Sequence, residues 1–167
     1  LELLKPHRDR VIGVGLDSSE LGHPPEKFEK LFAACKEEEL LLMAHGGEEG
    51  PPEYVTGALD ALKIDRLDHG NRSLEDENLV KRLFDEEITL TVCPLSNLRL
   101  KNCTDLREHP LRAMLSAGMK ATVNSDDPAY FGGYMNENYQ AVVDALDLGR
   151  EEVFTLANNA ITGSFAS

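Results

Sequence analysis

The chain has 167 residues, of which 41% are hydrophobic and 28% charged, a balance typical of a globular domain with one core. Its 30 acidic residues against 17 Lys and Arg residues give a formal net charge of −13, which argues against a general nucleic-acid binder because phosphate backbones would be repelled. No apolar run approaches the roughly 18 residues of a membrane span, so we expect no membrane partner. The three cysteines form no C-x-x-C pair and indicate a reducing, cytoplasmic location.

Four apolar runs and one short segment, at 66–68, predict β-strands. In chain order they are residues 11–16 (VIGVGL), 40–44 (LLLMA), 66–68 (RLD), 88–92 (ITLTV) and 119–123 (MKATV). Most of these segments are apolar at successive positions, as strands are when helices cover a parallel sheet.

Helical spacing predicts the segments between the strands. Apolar residues recur at i, i+3, i+4 and i+7, which places them on one helix face. The predicted helices cover residues 28–35, 55–62, 79–84, 111–115, 139–146 and 150–159. Five strand–helix units in series predict one α/β domain. Two architectures remain open, an open doubly wound sheet and a (β/α)8 barrel, because periodicity does not separate them.

Polar segments follow each predicted strand at its carboxyl end. They are DSSE at 17–20, HGGEEG at 45–50, DHG at 68–70, CPLSN at 93–97 and NSDDP at 124–128. Parallel strands bring these ends to one rim, where α/β folds hold their active sites. We therefore expect one site built from all five segments.

Each of these residues also has an ordinary structural explanation. A lone histidine such as His45 is more often a hydrogen-bonded loop residue than a metal ligand. Asp126 and Asp127 before a proline are common in turns, Glu20 is explained as surface charge, and His69 before Gly70 as a helix-start turn. However, adjacent carboxylates repel each other unless a positive group lies nearby, and Glu48 follows His45 across two glycines. Jointly, the ordinary explanations are less convincing than a single site.

The types of residue in this set favour metal-assisted hydrolysis. His45 and Asp126 offer nitrogen and oxygen ligands suited to Zn²⁺, which needs about three protein ligands plus water in a catalytic site. Glu48 beside them suits a general acid or base, and His69 and Asp127 suit the orientation of water. No G-x-G-x-x-G follows a strand and no Walker A motif is present, so no nucleotide cofactor is indicated.

The same segments, in this order, resemble the adenosine/adenine deaminase family of the amidohydrolase superfamily. HGGE at 45–48 is similar to the family's strand-five motif, and LDHG at 67–70 to its strand-six motif. CPLSN at 93–97 and NSDDP at 124–128 are similar to its strand-seven and strand-eight motifs. The segments GLDSSE at 15–20, GHPPEKF at 22–28, EGPPEY at 49–54 and DPAYFGGY at 127–134 resemble the adenine deaminase branch.

The resemblance implies a (β/α)8 barrel with one Zn²⁺ per subunit that converts adenine and water to hypoxanthine and ammonia in purine salvage. His45 and Asp126 would be zinc ligands, and Glu48 would protonate a ring nitrogen. His69 would orient the attacking hydroxide, and Asp127 would hydrogen-bond the imidazole edge of the purine. As further substrate-binding residues, Ser19 and Glu20 would close the pocket where a sugar would otherwise lie.

One departure from the family pattern concerns the zinc ligands. The family's other two ligands form an H-x-H pair on the first barrel strand, and no two of the five histidines here lie two residues apart. The five units would therefore be strands four to eight. We expect residues 1–167 to be the C-terminal part of a single barrel domain, with the strands that carry the H-x-H pair outside this chain.

Three alternatives to adenine deamination remain open from the sequence. Adenosine or N6-substituted adenines would be deaminated by similar chemistry. A chain limited to these residues would instead be a non-catalytic purine-binding fragment, with two unpaired sheet edges. In each case the expected partner is a small purine, and the sequence leaves the oligomeric state open, a homo-oligomer included.

Overall fold

The computed structural model describes residues 1–166 of the chain. Its five strands form one fully parallel sheet in the order β1-β2-β3-β4-β5. They are β1 (Gly13–Leu16), β2 (Leu41–Gly46), β3 (Arg66–His69), β4 (Thr89–Val92) and β5 (Lys120–Val123). All five predicted strands are thus confirmed, each beginning within two residues of the predicted start.

The order of the strands decides between the two predicted architectures. In an open doubly wound sheet the strand order reverses at a switch point, whereas in a barrel each strand lies beside its predecessor in sequence. Here the order runs in sequence without reversal. The sheet is therefore a segment of a (β/α)8-type barrel, in which β1 and β5 are the two edges.

Within residues 1–166, eight α-helices connect and cover the strands. They are α1 (Glu29–Glu37), α2 (Pro52–Gly57), α3 (Glu77–Asp85), α4 (Pro94–Arg99), α5 (Leu111–Ser116), α6 (Pro128–Phe131), α7 (Met135–Leu146) and α8 (Arg150–Thr162). The predicted helix over 55–62 consists of the end of α2 and a π-helical turn, Ala58–Leu62. Helices α4 and α6 were not predicted, because each is too short for a periodic apolar pattern. None of the helices in residues 1–166 is long and apolar enough to span a membrane.

The core lies between the sheet and the helices. Leu42, Leu67, Leu90 and Val123 are fully buried on consecutive strands, beneath the helices. Along β2 the burial alternates, so that Leu42, Ala44 and Gly46 are buried whereas the intervening residues, His45 included, are half-buried. The face of β2 that holds Leu42, Ala44 and Gly46 therefore packs in the core, and the opposite face holds the candidate functional side chain of His45.

Proline sets the start of three helices that leave the carboxyl rim of the sheet. Pro52, Pro94 and Pro128 are the first residues of α2, α4 and α6, where proline's fixed φ suits the helix and its missing N–H is not needed. The polar segments before them are thereby kept short and lie at the strand ends.

Candidate active site

His45 and His69 form the centre of a polar cluster at the carboxyl ends of β2 and β3. Their rings lie 4.4 Å apart, centroid to centroid, with one edge against the face of the other. The strand register pairs His45 with Asp68 and Gly46 with His69. Side chains alternate along a strand, so His45 and His69 would normally point to opposite faces.

Left-handed backbone at His69 explains how the two rings meet. His69 has φ of 67° and Asp126 has φ of 56°, a region that residues other than glycine seldom adopt. The turn at His69 breaks the strand alternation and lets its side chain approach His45. Strained backbone of this kind clusters at functional sites, and here it falls on two of the predicted site residues.

Glu48 joins this cluster through the loop that follows β2. Its Oε1 lies 3.5 Å from Nδ1 of His69, and both side chains are buried. Gly47 within this loop has φ of +72°, and a Cβ there would lie 2.8 Å from Cγ2 of Val55. Glycine at this position therefore allows the loop to turn tightly enough to bring Glu48 back to the histidines.

The surroundings of Glu48 and His69 shift their proton affinities in opposite directions. Burial, together with the negative charges of Asp126 and Glu20, raises the pKa of Glu48 to about 7. Burial and the neighbouring His45 lower the pKa of His69 to about 3. At neutral pH His69 is therefore neutral, and Glu48 can hold or release a proton.

The donor atoms in this cluster fit a metal ion. Ligand atoms of His45, Glu48 and His69 lie within 4.8 Å of one another, as do those of His69, Cys93 and Asp126. Nδ1 of His45 and Nδ1 of His69 are buried without a hydrogen-bond partner among residues 1–166. Buried polar atoms normally have partners, so these two nitrogens are consistent with a site that binds a cation or substrate.

A cleft of about 510 Å³ opens beside the cluster. Its walls are formed by Asp17, Ser18, Ser19, His45, Glu48, Glu49, Leu100, Asp126, Asp127 and Phe131. Asp127 is exposed to this cleft, and its backbone N–H donates to Oδ1 of Asp126 at 2.9 Å. Ser19 is exposed and donates to Glu49 at 3.3 Å. Five of the predicted site residues therefore line one cavity, and His69 lies directly behind it.

Glu20 is the predicted site residue that the structure places differently from the rest. Its side chain is buried, and its two carboxylate oxygens accept the backbone N–H groups of Gly47, Glu48 and Gly50. Glu20 thus supports the loop that carries Glu48. It does not line this cleft, but together with Ser19 and His45 it lines a smaller cavity beside it. The DSSE pattern gave no signal of this role, because the three amides come from a loop about 30 positions later.

Two further residues contact the site through Glu48. Nδ2 of Asn97 donates to Oε1 of Glu48 at 2.9 Å, and His109 lies 3.2 Å from Oδ1 of Asn97. Asn97 belongs to the CPLSN segment but had no predicted role, and His109 precedes a proline in a loop without any pattern that marks it. Cys93 lies against His69 and Asp126, and burial raises the pKa of its thiol well above the usual range.

Known proteins resemble the whole length of this chain. The family model described as adenosine deaminase matches residues 1–167. An adenine deaminase from Sphingopyxis alaskensis is 64% identical over 162 residues, which are 97% of this chain and 48% of that protein.

Solved structures also superimpose on nearly the whole of this chain. The crystal structure of an adenine deaminase from Arthrobacter aurescens does so with a TM-score of 0.96 at 49% identity, covering 99% of this chain and 51% of that one. An amidohydrolase from Burkholderia ambifaria, crystallised with bound zinc, does so with a TM-score of 0.91 at 27% identity, covering 99% of this chain and 47% of that one. The chain spans about half the length of the relatives it matches.

Proposed function

The chain belongs to the adenosine deaminase family, and on that basis we propose that the protein carrying it deaminates adenine hydrolytically to hypoxanthine and ammonia, with one zinc ion per subunit. The observation that carries this proposal is the grouping of His45, Glu48, His69 and Asp126 at one cleft on the carboxyl rim. A free purine base is the proposed partner, and purine salvage the proposed role.

The reaction exchanges an amino group for an oxygen. Water adds to C6 of adenine, the C6–N bond breaks, and the amino group leaves as ammonia with a proton from water. A group that protonates the neighbouring ring nitrogen makes C6 electrophilic, and a group that takes up and returns protons completes the exchange. With a pKa of about 7, Glu48 is suited to both steps.

His69 and Asp127 are assigned to orientation. The neutral imidazole of His69 lies 3.5 Å from Glu48 and against His45, where it can hydrogen-bond the water that attacks C6. The exposed carboxylate of Asp127 can accept an N–H from the imidazole edge of the purine. Ser19 lies at the same cleft and is proposed to contact the substrate, whereas Glu20 would shape the pocket indirectly through the Glu48 loop.

His45 and Asp126 are proposed as the metal ligands that this chain provides. A zinc ion held there would supply a Lewis acid that favours ionisation of water near neutral pH. Two ligands are fewer than the three that a catalytic zinc site needs. We therefore propose that the remaining ligands form an H-x-H pair on a strand outside this chain, in the three strand–helix units that would complete the barrel between β5 and β1. This would make residues 1–167 the C-terminal part of one barrel domain.

Steady-state kinetics of the full-length, zinc-loaded protein would test the proposal. Ammonia release should be measured from adenine, adenosine and N6-methyladenine at matched concentrations. We expect kcat/KM for adenine to exceed the other two values by at least about tenfold, a difference of about 1.4 kcal/mol. A preference for adenosine or N6-methyladenine would replace the proposed substrate, and purine binding without ammonia release would support a non-catalytic function.

A further inference from the structure

His109 is a buried histidine that the proposed mechanism does not use. Only 3% of its surface is exposed, although it lies in a loop between Leu106–Glu108 and the helix α5. Buried imidazoles need partners for both ring nitrogens, and His109 has one on each side. Its contacts lead through Asn97 to Glu48.

The backbone determines which ring nitrogen of His109 carries the hydrogen. The N–H of Leu111 donates to Nδ1 of His109 at 3.2 Å, so Nδ1 must be unprotonated. Burial lowers the pKa of His109 to about 4, so the ring is neutral at pH 7. The single hydrogen therefore lies on Nε2, which is 3.2 Å from Oδ1 of Asn97 and donates to it.

This donation determines the orientation of the Asn97 amide. Because Oδ1 accepts from His109, Nδ2 faces Glu48 and donates to its Oε1 at 2.9 Å. A flipped amide would bring two N–H donors together at His109 and two acceptors together at Glu48. Asn97 is fully buried, so water cannot relieve that mismatch.

The fixed Asn97 amide makes the two carboxylate oxygens of Glu48 inequivalent. Oε1 is held by Asn97 and lies beside His69, whereas no group in residues 1–166 donates a hydrogen bond to Oε2. Oε2 is thus the oxygen left to exchange a proton with a substrate in the cleft.

We propose that His109 is a positioning residue, which acts through Asn97 to fix the carboxylate of Glu48 so that Oε2 faces the substrate. This inference rests on the proposed function, since Glu48 is assigned there as the proton-transferring group. It requires the N–H of His109, and not merely a side chain that fills the space.

Two substitutions of His109 distinguish a role of its N–H donor from a role of its side-chain volume. In His109→Gln the terminal amide nitrogen reaches about the place of Nε2 and can still donate to Asn97. In His109→Asn the amide lies near Nδ1, so it can still accept from Leu111 but cannot reach Asn97. If His109 merely filled the space or accepted the N–H of Leu111, Asn would replace it at least as well as Gln does.

Kinetics of both variants in the full-length, zinc-loaded protein provide the first test. We expect His109→Asn to lose about 10- to 100-fold in kcat for adenine with KM and bound zinc within about twofold of wild type, and His109→Gln to recover most of that loss. Equal kcat values in the two variants, or an unchanged kcat in His109→Asn, would overturn the proposal.

Nitrogen-15 NMR of the histidine rings provides a test that needs neither a variant nor activity. At pH 7 we expect His109 to show a protonated Nε2 and an unprotonated Nδ1, and the opposite tautomer would overturn the proposal. A wild-type protein that releases no ammonia from adenine would refute the proposed function instead, and the tautomer would still report on His109.

Discussion

The carboxylate of Glu20 accepts the backbone N–H of Glu48 at 2.9 Å, so that one buried acidic residue holds the loop that positions another. Oε2 of Glu20 accepts two more amides, from Gly47 at 3.0 Å and Gly50 at 2.8 Å. A Cβ at Gly50 would lie 2.5 Å from this oxygen and 2.6 Å from Cδ2 of Tyr54, so a larger residue there would have to displace both side chains. The segment after β1 thus determines where the segment after β2 presents its functional side chain.

Substitution Glu20→Gln should therefore destabilise the protein. One of the three amides would face the NH₂ of glutamine and lose its acceptor, at a cost of about 1–3 kcal/mol in the free energy of unfolding. Chemical denaturation measures this, with Glu49→Gln as the control because, within residues 1–166, the side chain of Glu49 accepts only from the exposed Ser19. If Glu20 acted only by excluding a sugar, the variant would keep wild-type stability and gain adenosine turnover, contrary to this expectation.

Removing the proton-transferring group should abolish turnover and leave the metal in place. We expect Glu48→Gln to reduce kcat for adenine by about 10²- to 10⁴-fold, the usual contribution of general acid–base catalysis. The zinc content, measured by elemental analysis, should not change. Glu53→Gln is a matched control on an exposed residue nearby and should be as active as wild type. Wild-type kcat in Glu48→Gln would refute the role of Glu48.

Loss of a metal ligand, in contrast to loss of Glu48, should lower the zinc content. His45→Gln and Asp126→Asn are each expected to reduce bound zinc from about one per subunit to well below one under dialysis, since each removes one of few ligands. His23→Gln is the control, because His23 is exposed and contacts Lys27. Full zinc occupancy in both ligand variants would exclude these assignments.

Asp127 is expected to affect substrate binding more than chemistry. A hydrogen bond to a charged group contributes about 1.5–3 kcal/mol, so Asp127→Asn should raise KM for adenine by roughly 10- to 100-fold. Zinc content and stability should be unchanged because the side chain is exposed. Asp9→Asn, at a second exposed carboxylate, serves as the control. A fall in kcat at constant KM would assign Asp127 to the chemical step instead.

His109 should also make the stability of the fold depend on pH. Its pKa is lowered by burial to about 4 in the folded state, whereas the unfolded chain has the ordinary value of 6.5. Between these values the unfolded state binds more protons, so this residue lowers stability as pH falls from 6.5 towards 4 and contributes nothing above 6.5. The full loss is about 3 kcal/mol.

The His109→Gln variant isolates this contribution. Denaturation midpoints of wild type and variant should be compared at pH 7 and at pH 5. When the pH is lowered from 7 to 5, the wild type should lose more stability than the variant. Equal losses would contradict the assignment of this pH dependence to His109.

The strands and the common rim were predictable because both depend on local sequence. Apart from β3, whose sequence is RLDH, the strands lie in runs that are mostly apolar, and each polar segment comes at the carboxyl end of its strand. Periodicity alone did not predict the strand order, since it contains no information about which strands pair. The resemblance to the family implied the in-sequence order of a barrel, which the structure confirms.

The contacts that support the site join residues that are far apart in the sequence. Asn97 meets Glu48 across 49 positions and Glu20 meets Gly50 across 30, so no spacing rule relates them. The left-handed backbone at His69 and Asp126 also has no sequence signal, because both residue types usually adopt other conformations.

Hydrolytic deamination at this site is tested most directly by following the oxygen atom. Full-length, zinc-loaded protein should be incubated with adenine in water labelled with oxygen-18, and the product analysed by mass spectrometry together with ammonia release. We expect hypoxanthine labelled at its C6 oxygen and one ammonia per hypoxanthine, with both products lost in Glu48→Gln. Absence of hypoxanthine, or unlabelled hypoxanthine, would contradict hydrolytic deamination at this site.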